Sequence, residues 1–136
     1  LGDKTMKNRA VAVIITNNEV LLMRRIKNGE EYFCLPGGTM ETGESPEDTV
    51  AREIKEELNL DIKIEKPLFQ IQNQGREEFY FLVKEFSGTV ELGGEEKERM
   101  TEANQYYPVW LKLSEMFALP NFYPALAKQK LNEIIQ

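Results

Sequence analysis

The chain has 136 residues, enough for one ordinary domain and too few for two, so residues 1–136 are predicted to form a single domain. Hydrophobic residues make up 41% and charged residues 29%, and no apolar run reaches the roughly 18 residues that a membrane helix requires. The net charge of −6 disfavours nonspecific nucleic-acid binding, and the lack of histidine removes histidine catalysis and most zinc sites.

The N-terminus has no signal-peptide pattern, and the single cysteine excludes an internal disulfide, so a reducing cytoplasm is the expected location. Leu1 is not a start methionine whereas Met6 could be one. Residues 1–5 are therefore expected to be a cloning remnant, a trimmed native start or a disordered segment. Cys34 is expected to be a small buried side chain rather than a nucleophile, because no histidine can serve as its base.

Two apolar, β-branched runs open the chain. Residues 9–16 predict a strand covered on both faces, a pair of asparagines predicts a two-residue turn, and residues 19–26 predict the returning strand. Arg24 and Arg25 end that strand, where they either face solvent or meet a substrate phosphate.

A short strand and two glycines follow. Residues 32–35 predict a strand that Pro36 ends. Gly37 and Gly38 come next, where glycine permits backbone conformations closed to other residues and a close approach of the backbone to a ligand.

Local signals mark the limits of one helix. Ser45 is a suitable N-cap, Pro46 suits the first helical position, and Asp48 is placed for a capping box. Asn59 is expected to end the helix, because asparagine tolerates the left-handed backbone that commonly follows a helix.

At about 100° per residue, this helix has two distinct faces. Apolar side chains gather on a face predicted to be buried, and acids gather on a neighbouring face: Val50, Ala51, Ile54 and Leu58 on the first, and Glu53, Glu56 and Glu57 on the second. Glu44 approaches the acids from the preceding loop, Arg52 flanks them, and Lys55 points away. Such a row of carboxylates is either a solvated acidic face or a site for a hard cation such as Mg²⁺, Mn²⁺ or Ca²⁺.

After the helix, the sequence predicts a hairpin and then an acidic loop. Residues 61–74 predict a strand with a bend or bulge at Pro67, residues 78–86 predict its partner, and residues 89–92 predict a further short strand. Residues 93–105 are predicted to be a mobile loop. This loop is either a solvated linker or a lid that brings one more carboxylate to the metals or the attacking water, the candidates being Glu96, Glu98 and Glu102.

The C-terminal part predicts a strand and two helices. Residues 106–113 predict the last strand, in which Trp110 is expected to pack into the core, and residues 114–119 predict a short helix. Pro124 begins an amphipathic helix with an uneven apolar stripe of Leu126, Leu131, Ile134 and Ile135. Strands before and after a central helix predict an α/β fold.

The stretch from Gly38 to Leu60 resembles the signature of the Nudix hydrolases. In that signature glycine, five residues, glutamate and seven residues precede Arg-Glu-apolar-any-Glu-Glu-any-Gly-apolar. Here Gly38, Glu44 and the run Arg-Glu-Ile-Lys-Glu-Glu-Leu-Asn-Leu occupy the corresponding positions. The one departure is Asn59 in place of glycine, and asparagine adopts the same backbone shape at modest cost. The resemblance implies an α/β/α sandwich, with a mixed β-sheet between helices.

The resemblance also implies hydrolysis of a nucleoside diphosphate linked to another moiety, with Mg²⁺ or Mn²⁺ as cofactor. It implies catalytic roles for Glu44, Arg52, Glu53 and Glu57, metal ligation by Glu53, Glu56, Glu57 and the Gly37 carbonyl, and substrate binding at Gly38. Arg52 is expected to orient one of the glutamates, and Glu44 to lie behind the metal or beside it. The general base is expected to be a helix glutamate, with Glu53 favoured, or an acid of residues 93–105.

The residues that would select the substrate lie outside the signature. Some subfamilies carry a proline or a tyrosine after it, associated with ADP-ribose and dinucleoside polyphosphates respectively, and Gly75 and Arg76 occupy those positions here. A nucleoside triphosphate pyrophosphatase of the housecleaning type is the favoured function, and ADP-ribose or nucleotide-sugar hydrolysis is the alternative. A non-catalytic nucleotide-sensing module is the alternative of another class. A small nucleotide is the expected partner, and a homodimer is left open.

Overall fold

The computed structural model describes residues 7–135, apart from the side chains of Glu95 and Glu96. The prediction for residues 1–5 lies outside this range. Within it the elements follow the order β1 Arg9–Thr16, β2 Glu19–Lys27, β3 Glu30–Cys34, β4 Gly37–Thr39, α1 Pro46–Leu58, β5 Asp61–Asn73, β6 Arg76–Ser87, α2 Gly94–Glu98, β7 Asn104–Lys112, α3 Leu113–Ala118 and α4 Ala125–Ile135.

The strands of the described residues form a seven-stranded mixed sheet. Its main path is β3-β2-β1-β6-β5, while β4 pairs with β1 and β7 pairs with β2. The β1–β6 pair is parallel, from Arg9 opposite Glu78 to Ile14 opposite Val83, and the other named pairs are antiparallel. β1 and β6 are therefore the strands on which the parallel and antiparallel parts of the sheet meet.

Alternate side chains of β1 enter two different cores, because successive residues of a strand face opposite sides of the sheet. On one side Ala10, Ala12 and Ile14 share a cluster with the α1 residues Val50, Ile54 and Leu58. On the other side Val11 and Val13 share a cluster with Met116 of α3 and with Ala127 and Leu131 of α4. The sheet thus lies between helices, which confirms the predicted α/β/α sandwich.

The limits of α1 agree with the local signals. The Ser45 Oγ accepts a hydrogen bond from the Asp48 backbone N–H at 3.0 Å, and Pro46 is the first helical residue. Asn59 ends the helix with φ 60°, and its N–H donates to the Lys55 carbonyl at 3.1 Å. Asparagine therefore takes the left-handed position that the Nudix signature gives to glycine.

The buried face of α1 differs from the prediction at two positions. Val50, Ile54 and Leu58 are fully buried, but Ala51 is exposed and Thr49 is buried instead. Ala51 lies at the edge of the apolar stripe, whereas Thr49 is covered because the preceding loop folds over the first turn. Burial of each large aliphatic side chain contributes roughly 1.5–3 kcal/mol, so it fixes which face of the helix is left for the acids.

The β5–β6 hairpin has the predicted irregularity, with register shifts between Lys63 and Phe69 that include the Pro67 position. The predicted strand at 89–92 is wrong: these residues form no strand, and the Glu91 N–H donates to the Leu58 carbonyl at 3.1 Å. The predicted loop at 93–105 instead contains α2 and the start of β7. Glu91 and Gly93 donate hydrogen bonds to the carbonyls of Leu58 and Glu57 at the end of α1, which need partners from outside the helix.

The C-terminal elements agree with the prediction, except for the stripe of α4. Leu131 is fully buried, but Leu126 and Ile134 are 41% and 52% exposed, and the helix instead packs through the small Ala127. Trp110 is partly buried and stacks on Phe86 with ring centroids 5.9 Å apart. No helix in the described part of the chain has the length and apolarity needed to cross a membrane.

Candidate active site

One cleft of about 340 Å³ gathers most of the predicted site residues. Its carboxylate wall consists of Glu53, Glu56 and Glu57 of α1. Gly37 and Gly38 of β4 lie beside that wall. A basic wall comes from four positions spread along the chain, namely Lys7, Arg9, Arg25 and Arg99. The cleft therefore juxtaposes oxygen donors for a cation and cationic donors for an anion.

The sequence predicted Arg52 on the flank of the acids, but it lies in the middle of them. Its Nη1 donates to Glu53 Oε1 at 3.0 Å and to Glu56 Oε2 at 3.2 Å, and its Nη2 donates to the Thr39 carbonyl at 3.1 Å. Two further bonds go to Glu44, at 2.7 Å from Nε and 2.9 Å from Nη2. The hydrogen bonds to Glu44 are the main reason why the pKa of Arg52 lies above its usual value.

Glu44 is not among the residues that line the cleft, and its carboxylate is engaged by other groups. Besides Arg52, its Oε1 accepts from the Glu41 N–H and from the Thr49 Oγ, each at 2.9 Å. The Arg52 hydrogen bond, followed by that from the Glu41 backbone, lowers the pKa of Glu44 from 4.5 to about 2. In this arrangement Glu44 holds Arg52, and Arg52 in turn holds two members of the carboxylate wall.

The two glycines are required by space rather than by an unusual backbone conformation. Both belong to β4 and pair with β1, and neither has a positive φ, contrary to the prediction. A Cβ at Gly38 would lie 2.1 Å from the Glu53 Cδ, and one at Gly37 would lie 2.3 Å from the Ala10 carbonyl oxygen. Gly38 therefore leaves room for Glu53 at the cleft, and Gly37 lets β4 approach β1.

The donor chemistry of the carboxylate wall fits a hard divalent cation, because all its ligating atoms are oxygens. Among the residues described, however, no three acidic or cysteine side chains converge as a ready-made ligand cluster. Arg52 explains part of this, since its Nη1 lies between Glu53 and Glu56 and supplies the positive charge there. The assignment of Glu53, Glu56, Glu57 and the Gly37 carbonyl as metal ligands stays a prediction.

The two arginines at the end of β2 have different surroundings. Arg24 pairs with Glu31 on the neighbouring strand at 2.5 Å. Arg25 lines the cleft, with its guanidinium carbon 4.3 Å from the centre of the Tyr106 ring. The stacked guanidinium remains a cation with directional donors, so Arg25 fits the phosphate-binding alternative and Arg24 the solvent-facing one.

Several lining residues had no signal in the sequence. Lys7, Arg9, Arg99 and Tyr106 come from separate segments: Arg9 and Tyr106 lie on paired strands, Lys7 precedes β1, and Arg99 follows α2. Of the acids proposed from residues 93–105, Glu98 and Glu102 are exposed and do not line the cleft. The side chain of Glu96 lies outside the described part of the chain.

The described residues thus form an α/β protein with a mixed sheet between helices, in which an acidic helix face and a glycine strand meet at one cleft. The chain belongs to the Nudix family, because the model of the NUDIX domain matches residues 6–130. Nudix hydrolases generally use divalent cations and act on small nucleotides.

Known proteins resemble the chain in sequence and in fold. An ADP-ribose pyrophosphatase of Methanocaldococcus jannaschii is 33% identical over 93 residues, which cover 63% of this chain and 55% of that protein. The chain spans about half the length of the curated relatives it matches. The solution structure of the E. coli ORF135 protein has a TM-score of 0.73 at 23% identity, covering 96% of this chain and 89% of that one. A MutT NUDIX hydrolase from Burkholderia pseudomallei has a TM-score of 0.71 at 21% identity, covering 94% and 97%. These structures share the fold.

Proposed function

We propose that the protein hydrolyses a phosphoanhydride bond of a nucleoside diphosphate linked to another moiety, with Mg²⁺ or Mn²⁺ as cofactor. The observation that carries this proposal is the cleft in which the carboxylate wall faces the basic wall. Acids alone would fit many cations, and arginines alone would fit many anions. Both together fit a polyphosphate that arrives with a divalent cation, as in other phosphoryl-transfer sites.

Glu53, Glu56, Glu57 and the Gly37 carbonyl would hold the cation, which supplies neutralisation of phosphoryl charge and a more acidic water when bound. The chain's own residues do the positioning. Arg52 fixes the directions of Glu53 and Glu56 through Nη1, and Glu44 keeps Arg52 in place from behind. Glu53 is the proposed base that takes the proton of the attacking water, and Arg25 is held by stacking where it can meet phosphate oxygens.

The favoured substrate class is the nucleoside triphosphates, with a nucleoside monophosphate and pyrophosphate as products. Besides Arg52, four basic side chains line the cleft, before β1, in β1, in β2 and after α2. A triphosphate carries more charge than a bridging diphosphate, and it would engage more of these donors at once. Cleavage of such a substrate corresponds to the housecleaning type of pyrophosphatase.

A second candidate is hydrolysis of ADP-ribose or of a nucleotide sugar. It is favoured by the name of the Methanocaldococcus jannaschii relative, an ADP-ribose pyrophosphatase 33% identical over the matched region. A sensing module without catalysis is disfavoured, because nucleotide capture alone does not need the complete set of carboxylates.

The test is a hydrolysis screen with product mass as the readout. Nucleoside triphosphates, oxidised purine triphosphates, ADP-ribose, dinucleoside polyphosphates and nucleotide sugars are each incubated with the protein and Mg²⁺, then Mn²⁺, then EDTA. The Glu57→Gln variant removes one member of the carboxylate wall, and Glu47→Gln is the matched control, an exposed glutamate on the same helix away from the cleft.

Turnover of triphosphates that EDTA and Glu57→Gln abolish, and that Glu47→Gln retains, would support the proposal. Turnover of ADP-ribose alone would support the second candidate. Tight metal-dependent binding without any product would contradict both hydrolytic functions and leave the sensing module.

A further inference from the structure

A second cavity of about 200 Å³ adjoins the cleft. Arg9 and Arg25 line both spaces, so the two compartments meet at these side chains. Tyr32 and Tyr123 stand at the second cavity in edge-to-face contact, with ring centroids 6.0 Å apart, and Tyr123 is 56% exposed. A nucleotide with its phosphates between the walls of the cleft would extend into a space with aromatic faces, on which bases stack.

The polar group of this second cavity is Glu78, a carboxylate with only 3% of its surface exposed. Its Oε1 accepts from the Tyr80 hydroxyl at 2.8 Å, and its Oε2 accepts from the Asn73 Nδ2 at 3.1 Å. The Nε atoms of Arg9 and Arg76 are 3.7 and 3.9 Å away, too far for hydrogen bonds. A carboxylate has about four acceptor positions, so Glu78 can accept further donors.

Arg76 supplies the complementary group. Its Nε is buried and has no hydrogen-bond partner, and Arg76 lines the same cavity as Glu78. Burial, followed by the nearby charge of Arg9, lowers the pKa of Arg76. A buried donor without an acceptor is costly to a fold and is uncommon, so an acceptor supplied by a ligand would complete the site.

We propose that the second cavity binds the base of the nucleotide and that Glu78 and Arg76 select guanine. This inference rests on the proposed function, since it places the phosphates of the same molecule in the cleft. Guanine presents a ring N–H beside an amino group, which suits a carboxylate with free acceptor positions, and a neighbouring carbonyl oxygen, which suits an arginine donor. Adenine and cytosine offer the carboxylate one amino group and no ring N–H.

The experiment measures equilibrium binding of GMP, AMP, CMP and UMP by calorimetry in the presence of EDTA, so that no hydrolysis is needed. The wild-type protein is expected to bind GMP most tightly. Glu78→Gln should weaken GMP binding about 10- to 100-fold, as expected for a charged hydrogen-bond partner, and leave AMP binding nearly unchanged. A merely structural role for Glu78 would weaken all four ligands together.

Glu77→Gln is the matched control. Glu77 is the neighbour of Glu78 in β6, and its carboxylate accepts from Gln70 and Gln72 at 2.8 and 2.7 Å outside the cavity. Arg76→Gln is a second test variant in case Glu78→Gln does not fold, and it too should remove the preference for GMP.

Equal or tighter binding of AMP by the wild-type protein would overturn the inference, and so would parallel losses for all four nucleotides. Turnover of GTP and ATP by the wild-type protein is measured separately. Equal turnover without a GMP preference would defeat the inference and keep the proposed function. A GMP preference that Glu78→Gln removes, without turnover of any nucleotide, would support the inference and contradict the proposed function.

Discussion

The two ends of the joined cavities contain the same residue types in opposite proportions. At the carboxylate wall one arginine, Arg52, is shared by Glu44, Glu53 and Glu56. At the second cavity one glutamate, Glu78, is approached by two arginines, Arg9 and Arg76. Around Arg52 the carboxylates are in excess, which would favour a cation, while around Glu78 the guanidinium groups are in excess, which would favour a ligand that also supplies an acceptor.

The largest expected effect tests the cation end. Glu57→Gln should lower kcat/KM by more than about 100-fold, because removing a ligand should cost at least as much as removing a group that supports one. The free energy of unfolding should stay the same or rise by about 0.2–0.5 kcal/mol, since one like charge is removed from the acid face. Activity assays and denaturant titration measure the two quantities. Full activity together with a large loss of stability would contradict the metal site.

The next effect concerns the shared arginine. Arg52→Lys keeps the charge, but its three donors on one nitrogen cannot reproduce the five hydrogen bonds that Arg52 makes, so kcat/KM should fall about 10- to 100-fold. Steady-state kinetics and the affinity for Mn²⁺ would measure it. Lys55→Ala is the control, because Lys55 pairs with Asp61 on the other side of the helix. Wild-type kcat/KM in Arg52→Lys would show that positive charge alone, without geometry, is sufficient at this end.

A smaller effect concerns the contribution of Glu44 to stability, as distinct from the role of the carboxylate wall. Its pKa is lowered from 4.5 to about 2 in the fold, so its charged form stabilises the folded state fully above pH 4.5. This stability is lost as the pH falls from 4.5 towards 2. Glu44→Gln should therefore have a lower Tm than the wild type at pH 7, and the two Tm values should converge in acid. Parallel Tm curves would mean that the Arg52–Glu44 contact does not operate in solution.

The smallest effect tests whether the second cavity takes part in the chemistry. Cys34 lines that cavity and is only partly buried, although the sequence predicted a buried side chain. Cys34→Ser should keep kcat within about twofold of the wild-type value, because the proposed reaction uses no thiol. Complete inactivation of well-folded Cys34→Ser would show that the second cavity takes part in the chemistry and not only in binding.

Short-range sequence signals predicted the structure correctly where it depends on interactions between neighbouring residues. Capping by Ser45 and the left-handed Asn59 depend on a few consecutive residues, and both were confirmed. The prediction for residues 89–98 was wrong because this segment is ordered by the end of α1, through the Glu91 and Gly93 amides. The burial of Thr49 was missed for a related reason, since helical periodicity does not show where a neighbouring loop will cover the first turn.

The candidate site was predictable only on one of its walls. The acids share one helix, so their spacing revealed that Glu53, Glu56 and Glu57 would lie together. Arg9 and Arg25 reach the cleft through strand pairing at long sequence separation, for which no periodic pattern exists. The sequence indicated that position 38 needs glycine. The cause is the space taken by the Glu53 side chain, which only the three-dimensional structure reveals.

The backbone contacts between α1 and the segment after β6 have a further consequence. The N–H groups of Glu91 and Gly93 donate to the carbonyls of Leu58 and Glu57, at the end of the helix that carries the acids. Their rates of exchange with deuterium report how often this turn opens. If a divalent cation binds the carboxylate wall and holds the turn, exchange at these two amides should slow in its presence. Deuterium exchange at these two amides can thus report whether a cation occupies the carboxylate wall, before any substrate is known.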